Sequence, residues 1–162
     1  MRLSSVATVG ILLSLALVLP ACGDERTAAA DGEAATKSTA EVRISPARRL
    51  CRSQLHDFLD SMDTLRDELA VGLNYEDYLS DVRGLRVAYD GIPVNRLALT
   101  CLALAGTPGE RALNRYIDAA NTWGDCLADV SCETESIEAR LQRKWGLASD
   151  LLSSAQQGLR AS

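Results

Sequence analysis

The sequence predicts an all-α domain over residues 46–162, a compact bundle of about five helices stapled by two disulfides and preceded by a disordered tether. Beyond residue 45 the large apolar residues recur at spacings of three and four, the period of an amphipathic helix. This part of the sequence has no run of alternating β-branched residues, the pattern that would predict strands. The connections between the predicted helices are too short to separate two cores, so one domain is expected.

The first helix has a start signal and a stop signal. Ser45 is an N-cap residue and Pro46 follows at the first helical position, where a proline is tolerated. Gly72 is expected to end the helix. One face is apolar, and its residues are Cys51, Leu55, Phe58, Met62, Leu65 and Leu69.

The second helix is predicted to open at Asn74, with Asp77 three residues later, and to stop at Gly91 and Pro93. Its apolar residues are Tyr75, Tyr78, Val82, Leu85 and Tyr89. The predicted pairing of two amphipathic helices through a short turn is the beginning of a bundle.

Three further helices complete the prediction. The third runs from about Pro93 to Ala105, and Thr107-Pro108-Gly109-Glu110 has the form of a capping box that starts the fourth. After a loop around Cys132, Thr134 caps the fifth. The residues expected to face inward are Val94, Leu97, Cys101 and Leu104, then Leu113, Tyr116, Ile117, Ala120, Trp123 and Leu127, then Ile137, Leu141, Ala148, Leu152, Ala155 and Leu159.

The first 23 residues form an export signal. Arg2 provides a short positive region, and Val6 to Leu19 is an apolar run that gives way to small residues. The stretch Leu19-Pro20-Ala21-Cys22-Gly23 resembles the lipobox of bacterial lipoproteins. The resemblance implies cleavage before Cys22, acylation of its sulfur, and a protein held on the outer side of the bacterial cell membrane by lipid. A permanent span is disfavoured, because the run has only about 14 residues where roughly 20 are needed.

These signals divide the chain into a signal peptide (1–21), a lipidated cysteine with a flexible linker (22–45) and the helical domain (46–162). The linker is rich in Ala, Thr, Asp, Glu and Gly, and it has too few large apolar residues to bury a core. An ordinary secreted protein with an incidental cysteine is the alternative to lipidation.

The charge of the chain excludes one class of partner. The formal net charge is −5, and removal of residues 1–21 with Arg2 makes it −6, so nucleic acid is not an expected partner. The predicted partners are the membrane, through the lipid anchor, and an unidentified protein of the cell envelope. An acidic protein is repelled by anionic headgroups, so the anchor is expected to hold it there.

Four cysteines remain in the exported chain, and they predict two disulfides. They allow three pairings. Cys126 and Cys132 are six residues apart across a predicted turn, which leaves Cys51 with Cys101. Straight helices would place this second pair at heights about 20 Å apart, unless the extended stretch from Asp90 to Pro93 lowers the third helix. A metal site is the rival interpretation.

No catalytic residue, cofactor or metal ligand is predicted. His56 is the only histidine, and the sequence has neither a Cys-x-x-Cys nor a nucleophile motif beside it. Asp60, Asp63 and Asp67 form an acidic stripe at helical spacing, which is interpreted as a solvated face, with a partner surface as the alternative. An arginine cluster near the start of the first helix is unfavourable to the helix dipole; decoration of the surface and contact with anionic lipid are the two explanations. Its members are Arg43, Arg48, Arg49 and Arg52.

The segment from Trp123-Gly124-Asp125-Cys126-Leu127 through Cys132, Ile137 and Leu141-Gln142 to Lys144-Trp145 resembles a pattern in small exported actinobacterial proteins. This resemblance implies no activity. Both tryptophans are interpreted as core residues, with ligand stacking as the alternative.

Two classes of function are expected from these observations. The first is a non-enzymatic, membrane-anchored interaction module. The second is a small-ligand carrier or hydrolase with a site between helices, around the tyrosines and His56. A large internal cavity would favour the second class, and a filled core with an exposed apolar groove would favour the first.

Overall fold

Helices α1 (Pro46–Val71) and α2 (Tyr75–Asp90) form an antiparallel pair in the computed structural model, which describes residues 44–162. The predicted signal peptide, the lipidated Cys22 and the linker up to residue 43 lie outside the described residues. Both predicted N-caps are confirmed. The Ser45 hydroxyl accepts a hydrogen bond from the Arg48 N–H at 3.2 Å, and the Asn74 amide oxygen accepts one from the Asp77 N–H at 3.0 Å. Gly72, with φ of 113°, ends α1 as predicted.

The chain returns through Gly91–Ala98, which contains a 3₁₀ turn at Val94–Arg96, and then enters helix α3 (Leu99–Cys101). A π-helical turn at Leu102–Gly106 joins α3 to helix α4 (Thr107–Ala128). Helix α5 (Thr134–Ala161) runs back along α4. Neighbouring pairs are α1 with α2, α2 with α4, α4 with α5 and α5 with α1, an up-down-up-down bundle. Residues 44–162 contain no strand, so the all-α prediction is confirmed.

The predicted break between the third and fourth helices is wrong. Cys101, Leu102, Gly106 and Thr107 all have right-handed helical dihedrals, so the chain is helical without interruption from Leu99 to Ala128. Thr107 is therefore an interior residue of this helix and not the N-cap of a separate fourth helix. Pro108 has no N–H to donate, and the π turn just before it is where the helix accommodates this missing bond. The predicted start near Pro93 is also wrong, because residues 91–98 form a turn, a 3₁₀ turn at Val94–Arg96 and an extended pair at Leu97 and Ala98, and the α-helix begins only at Leu99.

Three residues predicted to face inward are exposed. They are Val94, Leu104 and Leu127. Val94 belongs to the connection before α3, and the π turn changes the helical phase at Leu104. Thr134 is the first residue of α5 and not its cap, which is Glu133 with no side-chain capping bond.

Small residues hold α4 and α5 close together. On the α3–α4 helix a buried small residue recurs every seven positions, at Ala105, Ala112 and Ala119, and α5 carries the fully buried Ala148 and Ala155. Short side chains let two helix backbones approach closely, and a seven-residue spacing keeps them on one seam. The larger core residues lie around this seam; the fully buried ones include Tyr78, Tyr116, Leu55, Leu59, Met62, Leu65, Leu113 and Leu152.

The two predicted disulfides are confirmed. Cys126 and Cys132 join the end of α4 to the loop before α5, with Cα atoms 5.2 Å apart. Cys51 and Cys101 join the start of α1 to α3, with Cα atoms 5.8 Å apart. The apparent height difference disappears because the connection over residues 91–98 brings the chain back to the level of Cys51 before the long helix starts.

Candidate functional site

Each end of the bundle carries a group of charged residues of one sign, while residues of both signs lie along its sides. We name as the basic end the place where residues 44–55, 91–106 and 156–162 meet. The Cys51–Cys101 disulfide joins the first two segments. Arg48 joins the first to the third, since its guanidinium donates to the carbonyls of residues 160–162. The three segments have no acidic residue and five arginines: Arg48, Arg49, Arg52, Arg96 and Arg160.

We name as the acidic end the opposite place, where residues 67–81 and 125–138 lie around the loops that follow α1 and α4. These two segments contain no basic residue and ten acidic ones: Asp67, Glu68, Glu76, Asp77, Asp81, Asp125, Asp129, Glu133, Glu135 and Glu138. Helix α1 connects the two ends. From Pro46 to Leu69 its rise of 1.5 Å per residue gives a length of about 35 Å.

An open cleft of about 280 Å³ lies at the acidic end, between the end of α1, α4 and the first turns of α5. We call it the tryptophan cleft, because Trp123 and Trp145 form part of its wall. The other residues that line it are Leu69, Gly72, Leu73, Thr134, Glu135, Glu138, Leu141 and Gln142. The cleft is therefore apolar and aromatic on its inner walls and carries two carboxylates.

The tryptophans are fixed by an aromatic cluster behind the cleft. The ring centroids of Trp123 and Trp145 are 6.0 Å apart in an edge-to-face arrangement, and Tyr78 contacts both, at 5.9 and 5.8 Å. Tyr75 packs on Trp123 at 5.5 Å. Tilted and edge-to-face pairs at such separations add to the energy of burial. Both tryptophans are half-buried, so each belongs to the packed interior and to the cleft wall at once.

A chain of hydrogen bonds sets the orientation of Trp145. Its indole N–H donates to the Tyr78 hydroxyl at 3.0 Å, and that hydroxyl donates to the Tyr116 carbonyl at 2.8 Å. Burial raises the pKa of Tyr78 well above its ordinary value, although the bond from Trp145 favours the phenolate. Tyr78 therefore stays neutral and keeps its proton for this bond. The one polar atom of the Trp145 ring is used inside the bundle, which leaves the cleft an apolar indole surface.

Gly124 makes room for Tyr75. A Cβ at Gly124 would collide with the Tyr75 hydroxyl and lie 3.3 Å from the ring carbon that bears it. The glycine after Trp123 thus allows Tyr75 to lie over α4 and to pack against Trp123. The packing of Tyr75 therefore explains why a glycine follows Trp123.

The two carboxylates of the cleft stand on the exposed first turns of α5. Glu135 lies in the first turn of the helix, where the dipole stabilises a negative charge. Glu138 follows one turn later. Within the described residues neither carboxylate takes part in an ion pair. The cleft therefore offers negative charge next to indole surfaces, an arrangement that attracts a cationic group with an apolar stem.

His56 lies on the exposed side of α1. Its Nδ1 is 2.8 Å from a carboxylate oxygen of Asp60 and 3.8 Å from one of Asp57. His56 is thus an exposed histidine beside two carboxylates. It is remote from the tryptophan cleft in sequence and is not among the residues that line the cleft.

The acidic stripe is divided among different partners. Asp60 pairs with His56, and Arg66 lies 2.8 Å from Asp63 and 3.6 Å from Asp67. Asp63 also accepts a hydrogen bond from the Gln156 amide of α5, at 3.0 Å. Of the three aspartates, Asp63 thus has a structural contact between helices.

The arginine cluster has one structural member. Arg48 binds the carbonyls of Arg160, Ala161 and Ser162, which have no intrahelical partners at the end of α5. Arg49 is exposed and Arg52 is half-buried beside it. Arg43 lies outside the described residues.

A second pair of carboxylates bridges α1 and α2 at the acidic end. Desolvation and the neighbouring carboxylate of Asp81 raise the pKa of Glu68 above its ordinary value, and Asp77 adds to the effect. The groove around them is also lined by the hydroxyl residues Ser61, Thr64 and Ser80.

Among residues 44–162 no group of three or more His, Cys, Asp or Glu side chains is placed to hold a metal ion. None of the helices described here is both long and apolar enough to span a bilayer.

The sequence singles out Trp123 and Trp145 but not Leu73, Glu135 or Glu138, and it does not bring these residues together. Both tryptophans are predicted to be core residues near a disulfide, and the structure places them at the edge of the core. The available signal was the row Thr134, Glu138, Leu141 and Trp145 on one face of α5, which is polar in its first two members and apolar in the last two. The partner residues Leu69 and Leu73 come from another helix end, which no local pattern connects to α5.

Comparison of the chain with protein-family models, with curated proteins and with solved structures found no match.

Proposed function

We propose that this protein is a lipid-anchored, non-enzymatic interaction module of the bacterial cell envelope, which presents the tryptophan cleft to a basic segment of a protein partner. The observation that carries the proposal is the position of the cleft. It lies at the acidic end, about 35 Å along α1 from Pro46. The linker that follows the lipobox-like segment joins the domain at the other end of α1, next to Pro46. An anchor at Cys22 would leave this end free to meet a partner.

The size of the cleft favours a side chain over a whole ligand. Sites for drug-sized molecules have volumes of about 300–1,000 Å³ and enclose most of the ligand. The tryptophan cleft has about 280 Å³ and is open to solvent. The tyrosines of the alternative carrier site are otherwise engaged, since Tyr78 fills the core and Tyr75 packs on Trp123. This arrangement supports docking of one partner side chain and its neighbours.

The chemistry of the cleft supports a basic partner. Glu135 and Glu138 supply negative charge, and the indole faces of Trp123 and Trp145 supply polarisable surface. The chain's own linker is a poor occupant, because residues 23–43 contain five acidic and three basic residues and are themselves acidic. An arginine or lysine flanked by apolar residues combines the charge and the stem that the cleft can accept.

Intrinsic fluorescence tests this proposal, because Trp123 and Trp145 are the only tryptophans of the chain. The full chain is titrated with a short peptide that has one arginine between leucines, and with the same peptide carrying glutamate in place of arginine. We expect a saturable spectral shift with the arginine peptide only. An equal response to both peptides would contradict charge recognition, and a response to a small quaternary ammonium ion alone would favour the ligand carrier.

Matched variants locate the binding. Glu135→Gln/Glu138→Gln removes two charges from the cleft and should weaken binding of the arginine peptide by about threefold to tenfold, on the scale of two exposed charge contacts. Glu76→Gln/Asp125→Asn removes two charges from the same end outside the cleft and should change affinity less than about twofold. Equal loss in both variants would show that the cleft is not the site.

The anchor is tested separately. Intact-mass analysis of the protein from native membranes should show loss of residues 1–21 and a diacylglyceryl adduct on Cys22. An unmodified Cys22 or a retained signal would refute lipid anchoring and leave the cleft experiment valid.

Catalysis is tested through His56. A turnover assay on esters, peptides and glycans of the envelope should show no activity that depends on this residue, because within residues 44–162 the charged partners of its ring are Asp57 and Asp60, and no nucleophile is paired with it. Activity abolished by His56→Ala would overturn the non-enzymatic assignment.

A further inference from the structure

We infer that the basic end of the bundle docks on an anionic lipid surface, with apolar side chains of residues 94–104 in contact with the headgroup region. The inference rests on the membrane anchoring proposed above, because the anchor would bring this end to the bilayer. It concerns a surface different from the tryptophan cleft, at the other end of α1.

The basic end exposes large apolar side chains. Leu99 is 83% exposed, Val94 is 50% exposed and Leu104 is 45% exposed. Ile44 and Leu50, on the first of the three segments, are also exposed. The three most exposed of these side chains belong to one short stretch around the 3₁₀ turn, α3 and the π turn. Exposed apolar side chains also occur at the acidic end, at Val71, Leu127 and Val130, so the basic end is distinguished by the combination of such side chains with arginines.

Arginines accompany these apolar side chains. Arg48 is engaged with the end of α5, which leaves Arg49, Arg52, Arg96 and Arg160 for an external partner. The nearest acid in sequence before this stretch is Asp90, which is paired with Arg86 at 3.1 Å. Basic and apolar residues on one surface are the combination that binds anionic bilayers, through headgroup attraction and shallow insertion.

The acidic net charge of the protein does not oppose this contact. Along α1 the first carboxylate of the acidic end, Asp67, stands about 22 Å from Arg52. Electrostatic interactions are screened over about 10 Å at moderate salt, so a headgroup at the basic end is affected mainly by the arginines there. The chain outside the structure supports the same orientation, since its 43 residues join the domain at Ile44, within the basic end. Attraction at one end and repulsion at the other would hold α1 upright on the surface.

Hydrogen exchange of the full chain on vesicles tests the inference. The purified chain is bound to vesicles of phosphatidylcholine, with and without phosphatidylglycerol, and flotation confirms attachment in every sample. We expect amides of residues 91–98 to exchange at least about threefold more slowly on the anionic vesicles at low salt, because docking shields this connection, which has no regular α-helical hydrogen bonding. The loop at residues 129–133, at the acidic end, should exchange equally on both.

Charge-matched variants assign the effect. Arg49→Gln/Arg52→Gln/Arg96→Gln should abolish the slower exchange, and Leu99→Ser should reduce it. Arg83→Gln/Arg140→Gln/Arg143→Gln removes the same charge from exposed positions of α2 and α5 and should leave it intact. The inference is refuted if exchange of residues 91–98 is the same on both vesicles, or if both triple variants lose protection equally. Protection that is independent of the lipid would instead assign the surface to the acidic linker and also refute it.

The experiment separates this inference from the proposed anchoring. A missing adduct on Cys22 in native protein refutes the anchor, and unchanged exchange on vesicles to which the chain is attached refutes the docking.

Discussion

Gly158 of α5 faces the carbonyl group of Leu104 so closely that a Cβ at position 158 would overlap it. The Leu104 carbonyl lies four residues before Pro108, which has no N–H to donate to it. The π turn and the close seam between α4 and α5 thus meet at this glycine. Close approach of two backbones, and not a turn, is the reason for glycine here.

Gly158→Ala should therefore destabilise the protein by about 3 kcal/mol, since a backbone carbonyl cannot move aside as a flexible side chain can. Gly146→Ala, on the same helix, is the matched control, because a Cβ there would meet nothing within 4 Å. It should stabilise the helix by up to about 1 kcal/mol. Urea unfolding of both variants measures the difference, and equal effects would refute the close contact.

Removal of one hydroxyl should have opposite consequences at two buried tyrosines. Tyr78→Phe loses the bonds to Trp145 and to the Tyr116 carbonyl and should cost about 1–2 kcal/mol. The hydroxyl of Tyr116 is buried and makes no hydrogen bond of good geometry, although Ser149 lies close enough to lower its pKa; burial is the larger effect and raises the pKa of Tyr116 to about 12. Tyr116→Phe should be neutral or stabilise by up to about 1 kcal/mol. Denaturant midpoints compare the two, and a larger loss in Tyr116→Phe would contradict this assignment.

Glu68→Gln should raise the melting temperature at pH 7. The raised pKa of Glu68 means that the folded protein holds this proton more tightly than the unfolded chain does. Stability from this group is therefore complete below the ordinary carboxyl pKa of 4.5 and is lost as the pH rises through the folded value. The advantage of the glutamine variant should be small at pH 4 and largest at pH 7.

Calorimetric scans across this range provide the measurement, with Glu76→Gln as a control of the same charge change. Glu76 lies in the first turn of α2, where its charge favours the helix dipole, so its variant should melt slightly lower at pH 7. A Glu68→Gln variant that melts lower at pH 7 than the parent would show that Asp81 does not repel Glu68.

The two disulfides should contribute unequally to stability. Cys51 and Cys101 close a loop with a sequence separation of 50, and Cys126 and Cys132 one of 6. Loop-closure entropy then gives about 4 kcal/mol for the first and about 2 kcal/mol for the second. The double variants Cys51→Ala/Cys101→Ala and Cys126→Ala/Cys132→Ala can be compared by urea unfolding. A greater loss from the short loop would reverse this order.

Local signals in the sequence predicted the parts of the fold that local chemistry controls. Ser45 and Asn74 cap their helices because their side chains reach the third N–H that follows, and Gly72 ends α1 with a positive φ. The disulfide pairing was predicted from the six-residue spacing of Cys126 and Cys132 and from the expectation that the chain is exported. These features depend on residues close together in the chain, or on a small number of alternatives.

Tertiary packing decided the parts that the sequence did not predict. Thr107-Pro108-Gly109-Glu110 has the form of a capping box, yet Gly109 is buried, and a Cβ there would lie 3.1 Å from Leu59 and 3.3 Å from Phe58. Continuation of the helix places Gly109 against α1 and Ala105 against α5, and this packing outweighs the local start signal. The tryptophan cleft was missed for a similar reason, since its walls come from the ends of three helices.

The bond between Arg48 and the last carbonyls of α5 also determines how the bundle would carry mechanical load. A partner held in the tryptophan cleft and an anchor joined at Ile44 would pull on opposite ends of α1, along the helix axis. Under such tension α1 would have to slide past its neighbours, which breaks many contacts at once. This requires far more force than peeling one helix away. Cys51–Cys101 and Arg48 lie next to the loaded end and pass the force to the long α3–α4 helix and to α5. The disulfide and the Arg48 hydrogen bonds thus lie at the end of the bundle where an anchored linker would apply its force.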